Sequence, residues 1–349
     1  MNPIEFDHTE NDDDFRRSYS NVLTAALETP WEVLPATLAI VAEVLALRIE
    51  GTRLSEQEIQ ARIGGGKRPT VAYASGGLAV IPLYGVIMPR ATLMSQLSGG
   101  ASLEQFQATL KQAVADPDIG SILLDIDSPG GSTSLVSETA ALIRSAREEK
   151  PIVAIANTLA ASAAYHLASQ GTEVIVSPSG LVGSIGVFTI HEDLSRFLEK
   201  LGVKPTLISA GRYKTEGHMY EPLTAEAKAA TQAIVDDVYS LFVDDVAAGR
   251  GVEASAVENG FGEGRLVTAK NAVKEGMADR VATLDETISR MRRNGSSQTT
   301  GTRASAQVDD EPPQDEPEVQ IEDEPAELVP GAERLLARAS FRDTFRPES

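Results

Sequence analysis

Residues 160–165 read Ala-Ala-Ser-Ala-Ala-Tyr and follow the apolar run Ile152-Val153-Ala154-Ile155-Ala156, where a strand should hand over to a helix. Ser162 is then expected in a first helical turn among small neighbours, with free backbone N–H groups and the positive end of the helix dipole beside it. Such a place suits a hydroxyl nucleophile whose attack develops negative charge. Ala and Ser also fill any tightly packed helix start, so these six residues acquire chemical meaning only from partners elsewhere in the chain.

The first partner is the stretch 125–132, Asp-Ile-Asp-Ser-Pro-Gly-Gly-Ser, between the apolar run Ser121-Ile122-Leu123-Leu124 and a helical pattern. Gly130 and Gly131 lack side chains, so their amides can approach a ligand closely and hold an oxyanion. An isolated Pro-Gly-Gly is an ordinary turn. Its position supports more, because ligands of α/β sheets bind at the carboxyl ends of strands, where Ser162 is also expected.

A serine nucleophile needs a base. Of the four histidines, His8 lies in a polar start, His166 points along its helix away from Ser162, His191 ends an apolar run and His218 sits in a polar loop. A Ser-His-Asp arrangement is therefore weakly supported. A lysine serves equally if it is neutral, which requires depression of its ordinary pKa of about 10.4. Lys214, in the loop Gly211-Arg212-Tyr213-Lys214, is the candidate, against the reading of a solvated lysine. Ser184, in Gly183-Ser184-Ile185-Gly186, can orient that amine or can simply begin a strand.

The elements that must position these groups alternate in type. Residues 78–87 (strand), 103–116 (helix), 121–127 (strand), 133–149 (helix) and 151–157 (strand) make the pattern of an α/β protein with buried, mostly parallel strands. Runs at 172–178, 183–191 and 204–210 extend the sheet, with a helix over 192–202 between the last two. A long helix follows over about 224–248, capped by Thr224 alone because Ala227 cannot complete a capping box. Residues 266–291 predict two helices around a stop at Gly276.

Three regions are expected: an N-terminal extension (1–77) with a helix near 31–50, a catalytic body (78–292) and a disordered acidic tail (293–349) with a terminal helix-like segment. The chain has 349 residues, no cysteine and a formal charge of −20, which argues against nucleic acid as a partner and excludes thiolate chemistry. Much of that charge lies in the tail, between Asp309 and Glu327. Residues 34–47 form the most apolar long stretch but carry Glu43 and are too short to span a bilayer, so a soluble chain without a stable membrane anchor is expected.

In order, Asp-Ser-Pro-Gly-Gly (127–131), Ala-Ala-Ser-Ala-Ala-Tyr (160–165), Gly-Ser-Ile-Gly-Val (183–187), Gly-Arg-Tyr-Lys (211–214) and the pattern at 264–279 resemble the signal peptide peptidase A (protease IV) family of serine peptidases. The resemblance spans roughly residues 78–290. It implies a Clp protease/crotonase-like spiral of strand-strand-helix units, Ser162 as nucleophile, Lys214 as general base and Ser184 as its hydrogen-bonding partner. Gly130 and Gly131 would then form the oxyanion loop, with no cofactor and no metal. Ala163-Ala164 departs from the Gly-Gly of many relatives and would narrow the substrate groove.

Two branches of the family compete, membrane-bound peptidases of signal peptides and phage head maturation proteases of the protein C type. The N-terminal helical stretch, Arg90 after the first strand, His191 and the acidic tail resemble the phage branch. That branch implies a homo-oligomer in the host cytoplasm, within the assembling procapsid, acting on scaffold, portal or capsid proteins and on itself. The rival expectations are a crotonase-like acyl-CoA enzyme and a capsid scaffold with a degenerate protease body.

Overall fold

The computed structural model describes residues 29–49, 58, 72–74, 77–91 and 100–300. His8, most of the N-terminal extension and the acidic tail from residue 301 lie outside the described residues.

The body is built on a sheet of order β11-β10-β8-β6-β3-β2. Its strands are β2 (Ala72–Ala74), β3 (Leu78–Tyr84), β6 (Ser121–Ser128), β8 (Ile152–Ala161), β10 (Leu181–Gly183) and β11 (Leu266–Thr268). The central pairs β3·β6, β6·β8 and β8·β10 are parallel, as their continuous apolar sequences require. Two more strands, β9 (Glu173–Val176) and β12 (Arg280–Val281), pair with each other, and β9 also pairs with the first half of β8. A second, small sheet of order β1-β7-β4-β5 stands at the carboxyl end of the first. It holds β1 (Trp31–Val33), β4 (Ile87–Met88), β5 (Ala101–Ser102) and β7 (Gly130–Ser132).

Two units of the chain follow one plan, a strand of the large sheet, short pairing in the small sheet, then a helix, and a third lacks the short strand. β3 and β4 lead to α2 (Leu103–Ala115), and β6 and β7 lead to α3 (Val136–Ala146). In the third unit β8 runs through Ser162 directly into α4 (Ala163–Ala168). The predicted strand-strand-helix spiral is therefore present in the described body.

Both faces of the large sheet are covered. In β6, Ile122, Leu124 and Ile126 join the core cluster that includes Leu110 of α2, Ile143 of α3, Tyr165 of α4 and Phe242. Leu123 faces the other side, where α9 (Leu284–Thr300) lays Leu284, Ile288 and Met291 against Leu78, Val80 and Ile155. This is the two-residue alternation of a strand with apolar layers on each side.

The long helix α6 (Ala225–Arg250) matches its predicted extent, and the Thr224 hydroxyl accepts from the Ala227 N–H at 3.1 Å. Its far end stops at Gly251 in the left-handed conformation. Residues 266–291 contain the two expected helices, α8 (Ala269–Lys274) and α9, with Gly276 at φ +80 between them. The short strands β11 and β12 in the same stretch were not read from the sequence.

Several expectations are corrected. Residues 31–33 form β1 rather than the start of a helix; α1 (Pro35–Ile49) begins only after Leu34, because a residue preceding proline is pushed to extended backbone. Of the run 183–191 only Gly183 remains in a strand, since Ser184 turns the backbone at φ 54. Residues 204–210 form no strand; they are exposed, Ile208 at 95%, and pair with nothing among the described residues. The helix before them is α5 (Ser195–Lys200). No described helix is long and apolar enough to cross a membrane.

Leu124 is fully buried at the centre of the large sheet. Leu124→Ala is expected to lower the unfolding free energy by about 2–5 kcal/mol in urea titrations. Thr224→Ala, which removes only a cap, is expected to cost about 1 kcal/mol in the same measurement.

Candidate active site

Ser162 stands where β8 ends and α4 begins, as the residue before the helix rather than within its first turn. Its backbone lies at φ 55, ψ −121, a region that costs a non-glycine residue roughly 1–3 kcal/mol. Neighbours on both sides hold it there: its N–H donates to the Gly183 carbonyl at 2.7 Å and its carbonyl accepts from the His166 N–H at 2.9 Å. The Ser162 amide thus pins the serine to β10. Its Oγ is 3.5 Å from the Gly186 carbonyl, and the residue is 1% exposed.

Gly130 and Gly131 come up against this turn from β7. A Cβ on Gly130, whose φ is +95, would lie 3.0 Å from the Ser162 Cβ, 2.9 Å from the Ala161 carbonyl oxygen and 2.1 Å from that of Glu32. On Gly131 it would lie 1.8 Å from the Ile87 carbonyl oxygen. Neither position admits a side chain. The Gly130 N–H donates to Ser128 Oγ at 3.2 Å, and Gly131 pairs with Glu32 of β1 and with Ile87 of β4.

Ser184 follows Gly183, the residue that accepts from Ser162, and is itself 8% exposed. Its N–H donates to the Arg265 carbonyl at 2.8 Å. The carboxyl ends of β6, β8 and β10 therefore bring Gly130, Gly131, Ser162 and Ser184 to one place. Lys214 is not among them in a single chain. It lies in an exposed turn whose N–H donates to the Gly211 carbonyl, and no hydrogen bond joins it to Ser162 or Ser184.

His166 is turned away from Ser162 Oγ, as its place four residues along the helix predicts. Its Nδ1 is 3.1 Å from Glu32 Oε2 and its Nε2 3.1 Å from Asp245 Oδ2, all inside the protein. Arg144 bonds Asp245 at 3.2 Å and Gln170 at 2.6 Å, and Phe242 stacks on the imidazole with centroids 4.4 Å apart. Burial alone lowers the imidazole pKa, but the Glu32 charge and the hydrogen bonds to Asp245 and Glu32 outweigh it and raise it to about 9. Asp245, despite partial burial that pushes its carboxyl up, is held below the usual carboxylate range by His166. His218 is elsewhere, 2.7 Å from Glu221 Oε1.

Glu32 was missed in the sequence because residues 31–33 fell inside a stretch read as helix. The available signal was Leu34-Pro35, which makes Leu34 extended and places the helix start after it.

Residues 144–297 match peptidase family S49. The chain is 31% identical over 193 residues to a relative from Synechocystis sp. whose name also reads as a protease, and covers 69% of that relative's length. The chain belongs to peptidase family S49. Head-tail preconnector protein GP5 of Enterobacteria phage P21 is 32% identical over 84% of this chain, and capsid assembly protease C of Escherichia phage lambda is 31% identical over 70% of it. The chain spans 62% and 56% of the lengths of these two phage relatives. Among solved structures, a probable enoyl-CoA hydratase/isomerase from Mycobacterium abscessus aligns at a TM-score of 0.39 and 12% identity, over 66% of this chain and 74% of that one. The S49 match includes Ser162, Ser184 and Lys214 but begins after Gly131.

The buried cluster makes stability depend on pH. The folded His166 pKa lies above its ordinary value of 6.5, so its contribution is complete below that pH and is lost as pH rises through about 9. Thermal melting of the wild-type chain is expected to fall across this window, and Glu32→Gln, which removes the neighbouring charge, to flatten the fall.

Proposed function

We propose that this S49 member is a serine endopeptidase of phage or prophage head maturation, with Ser162 as nucleophile and Lys214 as general base. The observation that carries this reading is the strained, buried Ser162 facing a side-chain-free loop at Gly130–Gly131. A neutral Lys214 amine takes the proton from Ser162 Oγ as the oxygen attacks a peptide carbonyl. The Gly131 amide holds the oxyanion, a donor of the kind worth about 3–4 kcal/mol, and Gly130 keeps the approach open. The amine of the broken peptide leaves with a proton, and water releases the acyl group from Ser162. Ser184 orients the lysine amine.

Lys214 must come to the serine from outside the single chain's contacts. The segment that carries it exposes Phe197, Leu201, Val203, Ile208 and Tyr213, an apolar surface that supports coverage by a second copy. The working form is then a homo-oligomer in which one subunit's Lys214 serves its neighbour's Ser162. The name of the phage lambda relative, a capsid assembly protease, supports capsid-assembly proteins as substrates; scaffold, portal and capsid proteins and the chain itself, within the procapsid assembling in the host cytoplasm, are the substrates of this reading.

Purified wild-type chain is expected to cleave capsid components and to be acylated at Ser162 by a fluorophosphonate reagent. Ser162→Ala and Lys214→Arg should each lower turnover by about a thousandfold or more, since guanidinium stays charged. Retained cleavage by Ser162→Ala excludes this nucleophile, and near-normal turnover by Lys214→Arg excludes this base. Co-assembled in equal amounts, the two inactive variants should regain about a quarter of wild-type activity if the pair forms between subunits, and none if it forms within one.

A further inference from the structure

Beside Ser162 the chain lays down a strand of its own. β1 runs antiparallel to β7, with Trp31 opposite Ser132, Glu32 opposite Gly131 and Val33 opposite Gly130. On its other edge Trp31 exchanges both backbone hydrogen bonds with Phe188, at 2.8 and 3.1 Å. Leu34 N–H donates to the Pro129 carbonyl at 2.9 Å. Alternate residues of a strand direct their N–H and C=O groups to opposite edges, so Glu32, next to Trp31, directs its own toward Gly131.

The place of a Cβ on Gly130, 2.1 Å from the Glu32 carbonyl oxygen and 3.0 Å from the Ser162 Cβ, puts that carbonyl beside the serine. The Glu32 side chain meanwhile enters the interior and meets His166. Trp31, Glu32 and Val33 are all nearly or fully buried, and under them the serine is too.

We propose that the groove between β7 and Phe188 is the track that binds the substrate chain before its cleaved bond. Trp31–Val33 occupies that track as a built-in substrate-like strand, with Glu32 in the place of the residue whose carbonyl is attacked, and His166 selects an acidic side chain at that place. This deepens the peptidase reading and rests on it.

An extended peptide bonded along both edges is how a sheet recognises main chain without regard to sequence, and the pocket beneath one residue then supplies the choice. Here the groups facing that pocket are His166, Asp245 and Arg144, with the neutral Gln170 and Phe242. With Glu32 present, two carboxylates offset imidazolium and guanidinium. If β1 departs, one positive charge is left unmatched in a buried place. A substrate glutamate restores the balance, glutamine pairs without charge, leucine leaves the imidazolium unpartnered and lysine adds a like charge. The strand is anchored by Trp31, Val33, Leu38 and Val86 with Phe188, so substrate competes with a tethered segment of the chain itself.

The test uses the full chain and its Trp31→Ala variant, which loosens the strand and leaves Ser162, Lys214 and the His166 pocket intact. Fluorophosphonate acylation of Ser162 is expected to be about tenfold faster in the variant, by mass action on the displaced strand. Among peptides differing only in the residue before the cleaved bond, glutamate should exceed glutamine, leucine and lysine by about tenfold or more in kcat/KM. Adding His166→Gln should reduce the glutamate preference to within about threefold of glutamine while leucine peptides are still cut.

A second measurement needs no substitution. Hydrogen exchange at the Trp31 and Leu34 amides of the wild-type chain should accelerate when a glutamate-ended peptide aldehyde occupies Ser162. Equal labelling of wild type and variant, together with unchanged exchange under bound aldehyde, overturns the strand; equal cleavage of glutamate and leucine peptides overturns the role of His166. If neither chain is labelled at Ser162 or cuts any peptide, the peptidase reading itself fails, and this inference with it.

Discussion

A Cβ on Gly131 would stand 1.8 Å from the Ile87 carbonyl oxygen, and one on Gly130 only 2.1 Å from that of Glu32. Because both positions lack side chains, β7 can pass between β1 and β4 at backbone distance and still reach the turn that carries Ser162. The small sheet forms around this approach. It also brings a main-chain amide beside a strained serine and closes the serine off from solvent. Side chains on either glycine would force β7 outward and separate the loop from the turn that carries Ser162.

Strain at Ser162 and order around it are two aspects of one arrangement. A backbone at φ 55 persists because β10 pairs with β8 in register, so that Gly183 is present to accept from the Ser162 N–H. Gly183 and Ser184 adopt positive φ themselves, which ends β10 where β8 ends. Below the turn, His166 links α4 to β1 and to α6 through Glu32 and Asp245. Such a buried ionic cluster is costly to assemble and costly to break, and it makes the position of β1 responsive to charge in a way that apolar packing would not be.

Ser162 is buried in the described chain, whereas Lys214 is exposed. Residues 201–214 carry apolar side chains into solvent, whereas the sheet beneath Ser162 is closed on both faces.

Much of the body was legible from composition and period. Continuous apolar runs such as 121–126 and 152–156 are what a parallel strand buried on both faces must contain, and the helical patterns between them require crossovers. Thr224 and Gly276 marked helix limits because capping chemistry is local. The failures share one cause. Residues 184–191 and 204–210 have strand-like composition, but a strand needs a partner, and whether one is available is not a local property. Trp31-Glu32-Val33 was read as helix because three residues carry little period, and only their pairing with β7 and Phe188, distant in the chain, makes them a strand.

By itself the amino-acid order determined the α/β alternation, the serine at a strand-to-helix junction and the glycine pair at another, since each follows from the stereochemistry of neighbouring residues. Only the tertiary structure decided that Gly130, Gly131, Ser162 and Ser184 meet, that Lys214 stays apart within one chain, and that Glu32 reaches His166. Those outcomes depend on strand register and on the meeting of charges more than a hundred residues apart, which no local pattern encodes.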